Sequence, residues 1–234
     1  MTQHDTSVVR SEYENETRLS TRKRAYATPG AEGPDAREIL FDAIAQAQPH
    51  RILEIGSGEG ELAERVQRDL DADVIAIDQS PRMVELTGRR GVDAQVGRAE
   101  QLEFDDGSFD CVVAAWMLYH VQELDRALAE VARVLRPGGR FVAVTNGRDH
   151  LKELYELIGR ERIPSSFLAE DADQILSRHF SRVDRRDAHG WVVFPNAEAA
   201  QAYVGSLVLL EGARVPLVAG EIRVRRLPTI FVAE

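Results

Sequence analysis

A glycine-rich turn is the part of this sequence best suited to holding a ligand. Residues 52–62 read ILEIGSGEGEL, an apolar run followed by glycines at positions 56, 58 and 60 and by the start of an amphipathic segment. Because glycine has no Cβ, such a backbone can turn tightly and approach a ligand closely. We therefore expect a strand, a ligand-binding turn and a helix in this order.

The residues around this turn favour one class of ligand over others. A dinucleotide fingerprint, Gly-x-Gly-x-x-Gly, needs its third glycine at position 61, where this chain has Glu61. A phosphate-binding P-loop is excluded as well, since no Lys-Ser/Thr pair follows. Glu54, Glu59 and Glu61 surround the turn with carboxylates, which disfavour a pyrophosphate. A cationic ligand without phosphate fits better, and S-adenosylmethionine, with its ammonium and sulfonium groups, is such a ligand.

An aspartate follows the turn at an informative distance. About 20 residues further on, the apolar run 74–77 ends in Asp78, where a carboxylate can accept hydrogen bonds from two ribose hydroxyls. A lone aspartate at a strand end can be purely structural. Its interval from the glycine turn favours a role in ligand binding.

Alternating apolar runs and amphipathic segments predict the elements that position these residues. Runs such as 74–77 and 111–115 are apolar without alternation, which is typical of strands buried on both faces. This pattern predicts an α/β fold with a mostly parallel sheet and helices on both faces. Strands are expected at 51–55, 73–77, 93–96, 109–115, 140–145, 180–188, 191–194 and 226–232. Helices are expected at 35–48, 59–70, 81–90, 122–135, 149–160, 165–178 and 196–210.

Composition narrows the class of protein. The chain has 234 residues, of which 44% are hydrophobic, and a net charge of −10, which together indicate one globular domain of ordinary size. The single cysteine, Cys111, excludes an internal disulfide, and the Cys and His spacings suggest no metal site. The polar N-terminus and the lack of a long apolar run predict a cytoplasmic protein without a membrane partner. The acidic balance opposes nucleic-acid binding.

Five motifs in order resemble the class I S-adenosylmethionine-dependent methyltransferases. They read EIGSGEG at 54–60, AIDQSPRM at 76–83, GRAEQLEF at 97–104, DGSFD at 106–110 and LRPGGR at 135–140. The resemblance covers residues 53–145 and is to the small-molecule subgroup similar to the ubiquinone and menaquinone C-methyltransferases. It implies a Rossmann-like, seven-stranded sheet whose last strand is antiparallel.

The resemblance also implies which parts of the chain form the lid, the cofactor-binding core and the substrate side. Residues 1–234 would form a single methyltransferase domain, with an N-terminal helical lid at 1–34, a cofactor-binding core at 51–145 and substrate-side segments at 149–214. Monomer and homodimer both remain open.

Carried over by position, the resemblance implies a set of cofactor-binding residues. The turn would cradle the methionine part, Asp78 would hold the ribose, and the residues around positions 79–83 and 98–100 would border the adenine. In the family an aspartate commonly stands at the position of Arg98 and accepts from the adenine amine. Arginine cannot accept, so either Glu100 or the backbone alone would serve. The full set is Glu54, Gly56, Ser57, Gly58, Gly60, Asp78, Gln79, Met83, Arg98, Ala99, Glu100, Ala115 and Trp116.

Acceptor-side residues are expected where the fourth strand ends and in the flanks. An imidazole at His120, with an ordinary pKa of about 6.5, suits a general base, although the same residue can instead pack the start of the next helix. The remaining substrate-side candidates are Tyr13, Arg18 and Tyr26 on the lid, and Tyr119 and Trp191.

The expected reaction is in-line transfer of a methyl group to oxygen, nitrogen or activated carbon of a small molecule, with no metal. Three alternatives remain. Arg98 favours an inactive S-adenosylmethionine-binding protein, whereas Glu61 disfavours a nucleotide-dependent oxidoreductase on a Rossmann-like fold. The net acidity disfavours an RNA methyltransferase.

Overall fold

A seven-stranded sheet forms the centre of the protein in the computed structural model, which describes Thr21, residues 31–162 and residues 164–234. The strands of the protein are β1 (Arg51–Ile55), β2 (Asp73–Asp78), β3 (Asp93–Val96), β4 (Phe109–Ala115), β5 (Leu135–Asn146), β6 (Val183–Asp187), β7 (Gly190–Phe194), β8 (Ile222–Arg226) and β9 (Pro228–Ala233). The order in the large sheet is β3-β2-β1-β4-β5-β9-β6. β1 to β5 pair in parallel, and β9 runs antiparallel to both β5 and β6. This confirms the predicted sheet.

Helices cover both faces of this sheet. They are α1 (Ala36–Ala45), α2 (Glu61–Leu70), α3 (Pro81–Arg89), α4 (Leu124–Val134), α5 (Lys152–Leu157), α6 (Ala169–Leu176) and α7 (Ala197–Gly205), with short 3-10 helices at Leu118–His120 and Val208–Leu210. Buried side chains of α1 and α2 pack in one apolar cluster, and those of α4 and α6 pack in the other.

The central strands contribute side chains to both clusters. In β4, Val112 and Ala114 face the cluster of α4 and α6, whereas Cys111 and Val113 face the cluster of α1 and α2. All four side chains are at most 1% exposed. Alternate residues of a strand point to opposite faces, so burial of both faces explains why these runs are apolar without alternation.

The sequence predicts one closing strand at 226–232, whereas the structure has β9 there from Pro228 onward and a further strand, β8, just before it. β8 ends at Arg226 and pairs with β7 in a separate two-stranded sheet, while β9 begins at Pro228 in the large sheet. At the break, the N–H of Leu227 donates to Nδ1 of His150 at 2.9 Å instead of to a strand neighbour. Burial lowers the pKa of His150 to about 3, so the imidazole that accepts this bond stays neutral.

Within the described ranges, no helix combines the length and the apolar character that a membrane crossing requires.

Candidate functional site

The glycine turn leaves β1 at the carboxyl edge of the sheet. The N–H groups of Gly56 and Ser57 both donate to the carbonyl of Ile77, at 2.8 and 3.2 Å, and Gly60 N–H donates to the Ser57 carbonyl at 2.9 Å. Gly56, Gly58 and Gly60 adopt φ angles of +73°, +55° and +75°. Side chains rarely tolerate this left-handed region, so the turn needs glycine at each of these positions.

The space around the three glycines differs. A Cβ on Gly56 would lie 2.8 Å from the Met117 side chain, and one on Gly60 would lie 2.7 Å from Thr87. A Cβ on Gly58 would meet nothing within 4 Å. Gly56 and Gly60 therefore make room for the protein's own packing, whereas the backbone at Gly58 borders open space that a ligand can enter.

Asp78 connects the turn to the end of β2. Its Oδ2 accepts from Gly58 N–H at 3.0 Å, and its Oδ1 accepts from Ser80 N–H at 2.9 Å. Burial raises the pKa of this carboxyl, and the two backbone hydrogen bonds oppose the rise. The carboxylate is thus held in one orientation beside the open side of the turn.

Glu54 is a second buried carboxyl at the site. It is 4% exposed, and its Oε2 has no hydrogen-bond partner among the described residues. Burial raises the pKa of Glu54 to about 8, opposed by a backbone hydrogen bond from Ala63 and assisted by the charge of Asp78. A buried acceptor without a donor is costly, so the site lacks a hydrogen-bond donor or a cation at this point.

The segment after β3 carries the residues predicted at the adenine. Ala99 is 4% exposed, and Arg98 and Gln101 form an isolated antiparallel bridge. The Arg98 guanidinium pairs with the Glu100 carboxylate at 3.3 Å. On α3, Met83 is fully buried, while Gln79, which lies between β2 and α3, is exposed. Of the two acceptors that the sequence offers for an adenine amine, Glu100 is therefore already engaged by Arg98.

The segment after β4 lies against the glycine turn. Trp116 has a φ of +54°, uncommon for a residue with a side chain, and its N–H donates to the Val144 carbonyl of β5 at 3.0 Å. Ala115 and Trp116 are both partly buried. Met117 then packs over Gly56. The Tyr119 and His120 rings are in edge contact, with centroids 4.5 Å apart. The structure thus places Met117, two residues before Tyr119, against the turn.

The other substrate-side candidates lie elsewhere. Trp191 is in β7, where it exchanges two backbone hydrogen bonds of 3.0 Å with Glu32, and the Arg223 guanidinium lies 4.9 Å from the centre of its ring. Tyr13, Arg18 and Tyr26 fall outside the described residues.

Sequence reasoning missed two residues that shape the turn. Thr87 is fully buried, and its Oγ1 donates to the Gly58 carbonyl at 3.1 Å and lies 3.3 Å from Oγ of Ser57. A polar residue on the buried face of α3 is the signal that could have indicated it. Met117 carries no such signal, because only the folded chain brings it to Gly56.

Metal binding finds no support in the part of the chain that the structure describes, where no group of three or more His, Cys, Asp or Glu side chains could hold an ion.

Known proteins resemble this chain most clearly over its central part. Residues 53–143 match a protein family described as Methyltransferase domain. An uncharacterized methyltransferase of Mycobacterium tuberculosis is 41% identical over 138 residues, which cover 56% of this chain and 54% of that protein. A demethylmenaquinone methyltransferase of Renibacterium salmoninarum is 37% identical over 108 residues, 45% of each protein.

Solved structures agree in fold. The crystal structure of the YcgJ protein from Bacillus subtilis superposes with a TM-score of 0.61 at 20% identity, covering 83% of this chain and 97% of that one. This chain spans about half the length of the curated relatives it matches. Together the matches confirm the resemblance to methyltransferases that the five motifs carry.

Proposed function

We propose that the protein transfers a methyl group from S-adenosylmethionine to a small-molecule acceptor, since residues 53–143 match a protein family described as Methyltransferase domain. The observation that carries the proposal is the buried Oε2 of Glu54, which has no partner among the described residues. It lies at a turn whose open side is at Gly58. A ligand with a hydrogen-bond donor satisfies this oxygen, and the ammonium group of S-adenosylmethionine is such a donor.

Glu54 and Asp78 hold the two polar parts of the cofactor in this proposal. Glu54 faces the ammonium group, whose charge stabilises the ionised carboxylate. Asp78 binds the ribose: each of its oxygens accepts one backbone N–H, which leaves each with capacity for a hydroxyl. Gly56, Ser57 and Gly58 supply the backbone around the methionine part, and Gly60 allows α2 to begin close to α3.

The adenine is proposed to lie between α3 and the segment after β3. Met83 and Gln79 border it, and Ala99 offers its N–H. Because the Arg98 guanidinium pairs with Oε1 of Glu100, we expect either Oε2 of Glu100 or a backbone carbonyl to accept from the adenine amine.

When bound, S-adenosylmethionine supplies an electrophilic methyl group on its sulfonium. What remains for the protein is to orient the acceptor, exclude water and accept one proton. We assign the proton to the imidazole of His120, which the contact with the Tyr119 ring helps to orient. Ala115 and Trp116 line the cofactor at the end of β4. We also propose Tyr13, Arg18 and Tyr26 of the expected lid at 1–34, which lie outside the described residues, as acceptor-side residues.

The remaining parts of the chain complete one domain of residues 1–234 in this proposal. Segments 149–214, which include Trp191, form the acceptor side. A net charge of −10 favours a small molecule over a nucleic acid as the acceptor.

Calorimetric titration with S-adenosylhomocysteine tests the proposal. The full chain is expected to bind it and to give no fluorescence response to reduced nicotinamide cofactor. Failure to bind S-adenosylhomocysteine contradicts the proposed function. Binding of S-adenosylhomocysteine without turnover of any acceptor in a broad panel favours an inactive binding protein. The Arg98–Glu100 pair is the feature that supports this alternative.

A further inference from the structure

A cavity of about 430 Å³ opens beyond the end of β5, outside the matched methyltransferase segment. Its walls come from the loop after β5, from α5 and from the segment that precedes α6. Four cationic side chains line it, against two acidic ones, Asp149 and Glu156. The cations are Arg148, Lys152, Arg160 and Arg162.

Arg162 is the most informative of these side chains. Its Nη1 donates to the carbonyls of Gly147, at 2.6 Å, and of Arg148. Burial lowers the pKa of this guanidinium, against the attraction of Glu170 and Asp149. Nevertheless, no described carboxylate lies within ion-pair distance of it, whereas partly buried charges in proteins are normally paired. Its remaining N–H groups are available to an anion.

The other three cations are neutralised to different degrees. Arg148 pairs with Asp171 at 3.3 Å, and Lys152 pairs with Asp149 at 3.8 Å, both at exposed positions where such pairs are weak. Arg160 is exposed at the rim and makes no ion pair with any described carboxylate. Two guanidinium groups of the cavity, those of Arg160 and Arg162, therefore carry positive charge that no close carboxylate neutralises, although the chain as a whole is strongly acidic.

The cavity lies at the same edge of the sheet as the glycine turn. The carbonyls that hold Arg162 follow the end of β5 directly, and β5 is parallel to β4 and β1. The N–H of Trp116, after β4, bonds to Val144 near the end of β5. Thr145 Oγ1 donates to the Phe167 carbonyl at 2.6 Å and so fixes the cavity wall next to Leu168. In open α/β sheets this edge is where ligands bind.

We propose that this cavity binds an anionic group, a carboxylate or a phosphate, on the methyl acceptor. Arg162 and Arg160 bind the anion, because the planar guanidinium matches both groups in geometry. Tyr155, Pro164 and Leu168 form the wall for the rest of the molecule. The identification of the ligand as the acceptor rests on the proposed function, whereas the anion site itself stands on the cavity and its charges.

Anion binding is tested on the full chain with inorganic phosphate and with benzoate as probes. At least one of them is expected to raise the melting temperature of the parent protein in a saturable way. Arg160→Gln is expected to weaken the apparent affinity roughly 10-fold or more, since it removes charge-assisted hydrogen bonds. Arg214→Gln, a change of an exposed arginine outside the cavity, is the matched control and should bind as the parent does.

Arg162→Gln and Arg162→Lys form a second pair of variants, since Arg162 also bonds two backbone carbonyls. The glutamine variant is expected to lose anion binding, and the lysine variant to retain part of it. The inference is overturned if neither probe binds the parent, if Arg160→Gln binds as tightly as Arg214→Gln, or if the bound anion displaces S-adenosylhomocysteine. Which probe binds more tightly distinguishes a carboxylate from a phosphate.

Two further measurements separate this inference from the proposed function. S-adenosylhomocysteine titrated on the same samples should bind the parent, Arg160→Gln and Arg214→Gln equally; if none binds it while phosphate still binds, the function fails and the anion site stands. In a screen scored by S-adenosylhomocysteine formation, acids should be methylated in preference to their amides. If none of the molecules that the protein methylates carries an anionic group, the assignment of the cavity to the acceptor is overturned.

Discussion

The carboxylate of Asp78 accepts the backbone N–H of Gly58 at 3.0 Å, so the side chain proposed to bind the ribose also fixes the open part of the glycine turn. From the sequence spacing alone, Asp78 and the glycine turn are expected to contact one ligand independently of each other. In the folded protein they are coupled, because a change at Asp78 also alters the turn.

We expect Asp78→Ala to weaken S-adenosylhomocysteine binding roughly 100-fold, since it removes two hydrogen bonds to a charged acceptor. Calorimetric titration measures this loss. Asp105→Ala, at an exposed aspartate, is the control and should leave the dissociation constant unchanged. Equal affinities for the two variants would show that Asp78 does not contact the ligand.

Alanine variants of the three turn glycines should differ in whether they lower stability or ligand binding. Gly56→Ala and Gly60→Ala place a Cβ within 3 Å of Met117 and Thr87, so each should lower the free energy of unfolding by the backbone strain of about 1–2 kcal/mol plus an overpacking cost of about 1–3 kcal/mol. Gly58→Ala should cost only the strain but should impair S-adenosylhomocysteine binding. Denaturant unfolding and calorimetry measure the two effects, and a larger stability loss at Gly58 than at Gly56 contradicts the assignment.

Binding should release a proton from Glu54. Its pKa of about 8 in the free protein means that it is largely protonated near neutral pH, and an ammonium group beside it favours the ionised form. Affinity for S-adenosylhomocysteine should therefore rise as the pH increases towards 8. Calorimetry in buffers of different ionisation enthalpy counts the proton, and Glu54→Gln should abolish the release. A release that persists in that variant would have to come from another group.

Without ligand, Glu54 should make stability fall as the pH rises. The folded-state pKa of about 8 lies above the ordinary value of 4.5, so between these values the folded protein keeps a proton that the unfolded chain has lost. The contribution is greatest below pH 4.5 and is lost as the pH passes through 8. The melting temperature of the parent should consequently fall relative to that of Glu54→Gln between about pH 5 and pH 8.5; a constant difference would refute the raised pKa.

His120→Ala should lower the turnover number roughly 100-fold while leaving S-adenosylhomocysteine affinity nearly intact. His50→Ala, at an exposed position at the opposite end of β1, is the matched control. The rate of S-adenosylhomocysteine formation measures turnover with any acceptor that the screen identifies. Unchanged turnover would assign His120 to packing of the helix that follows.

Much of the fold could be predicted because its physical signals are local. β2 and β4 are buried on both faces, so their apolar runs identify them without any knowledge of their neighbours. Asp35 and Ser80 accept N–H groups at the starts of α1 and α3, a role that their residue types predict. The sequence does not predict β8, whose residues 222–226 alternate apolar side chains with arginine, nor the break at Leu227.

The site could be predicted only where its residues share a motif. Asp78 follows the glycines at an interval that the fold imposes, so sequence indicated it. Met117 and Thr87 reach the turn from other elements, and no spacing along the chain encodes those contacts. The same holds for Arg160 and Arg162, whose environment exists only after the segment before α6 folds against the end of β5.

The cavity beyond β5 lies entirely outside residues 53–143. In the two proposals, the cofactor and the acceptor's anionic group therefore contact separate segments of the chain. The exposed cavity residues Arg148, Lys152, Glu156 and Arg160 are therefore the positions to vary in a library that seeks new acceptors, because none of them contacts the turn, Asp78 or Glu54 in the described hydrogen bonds and ion pairs.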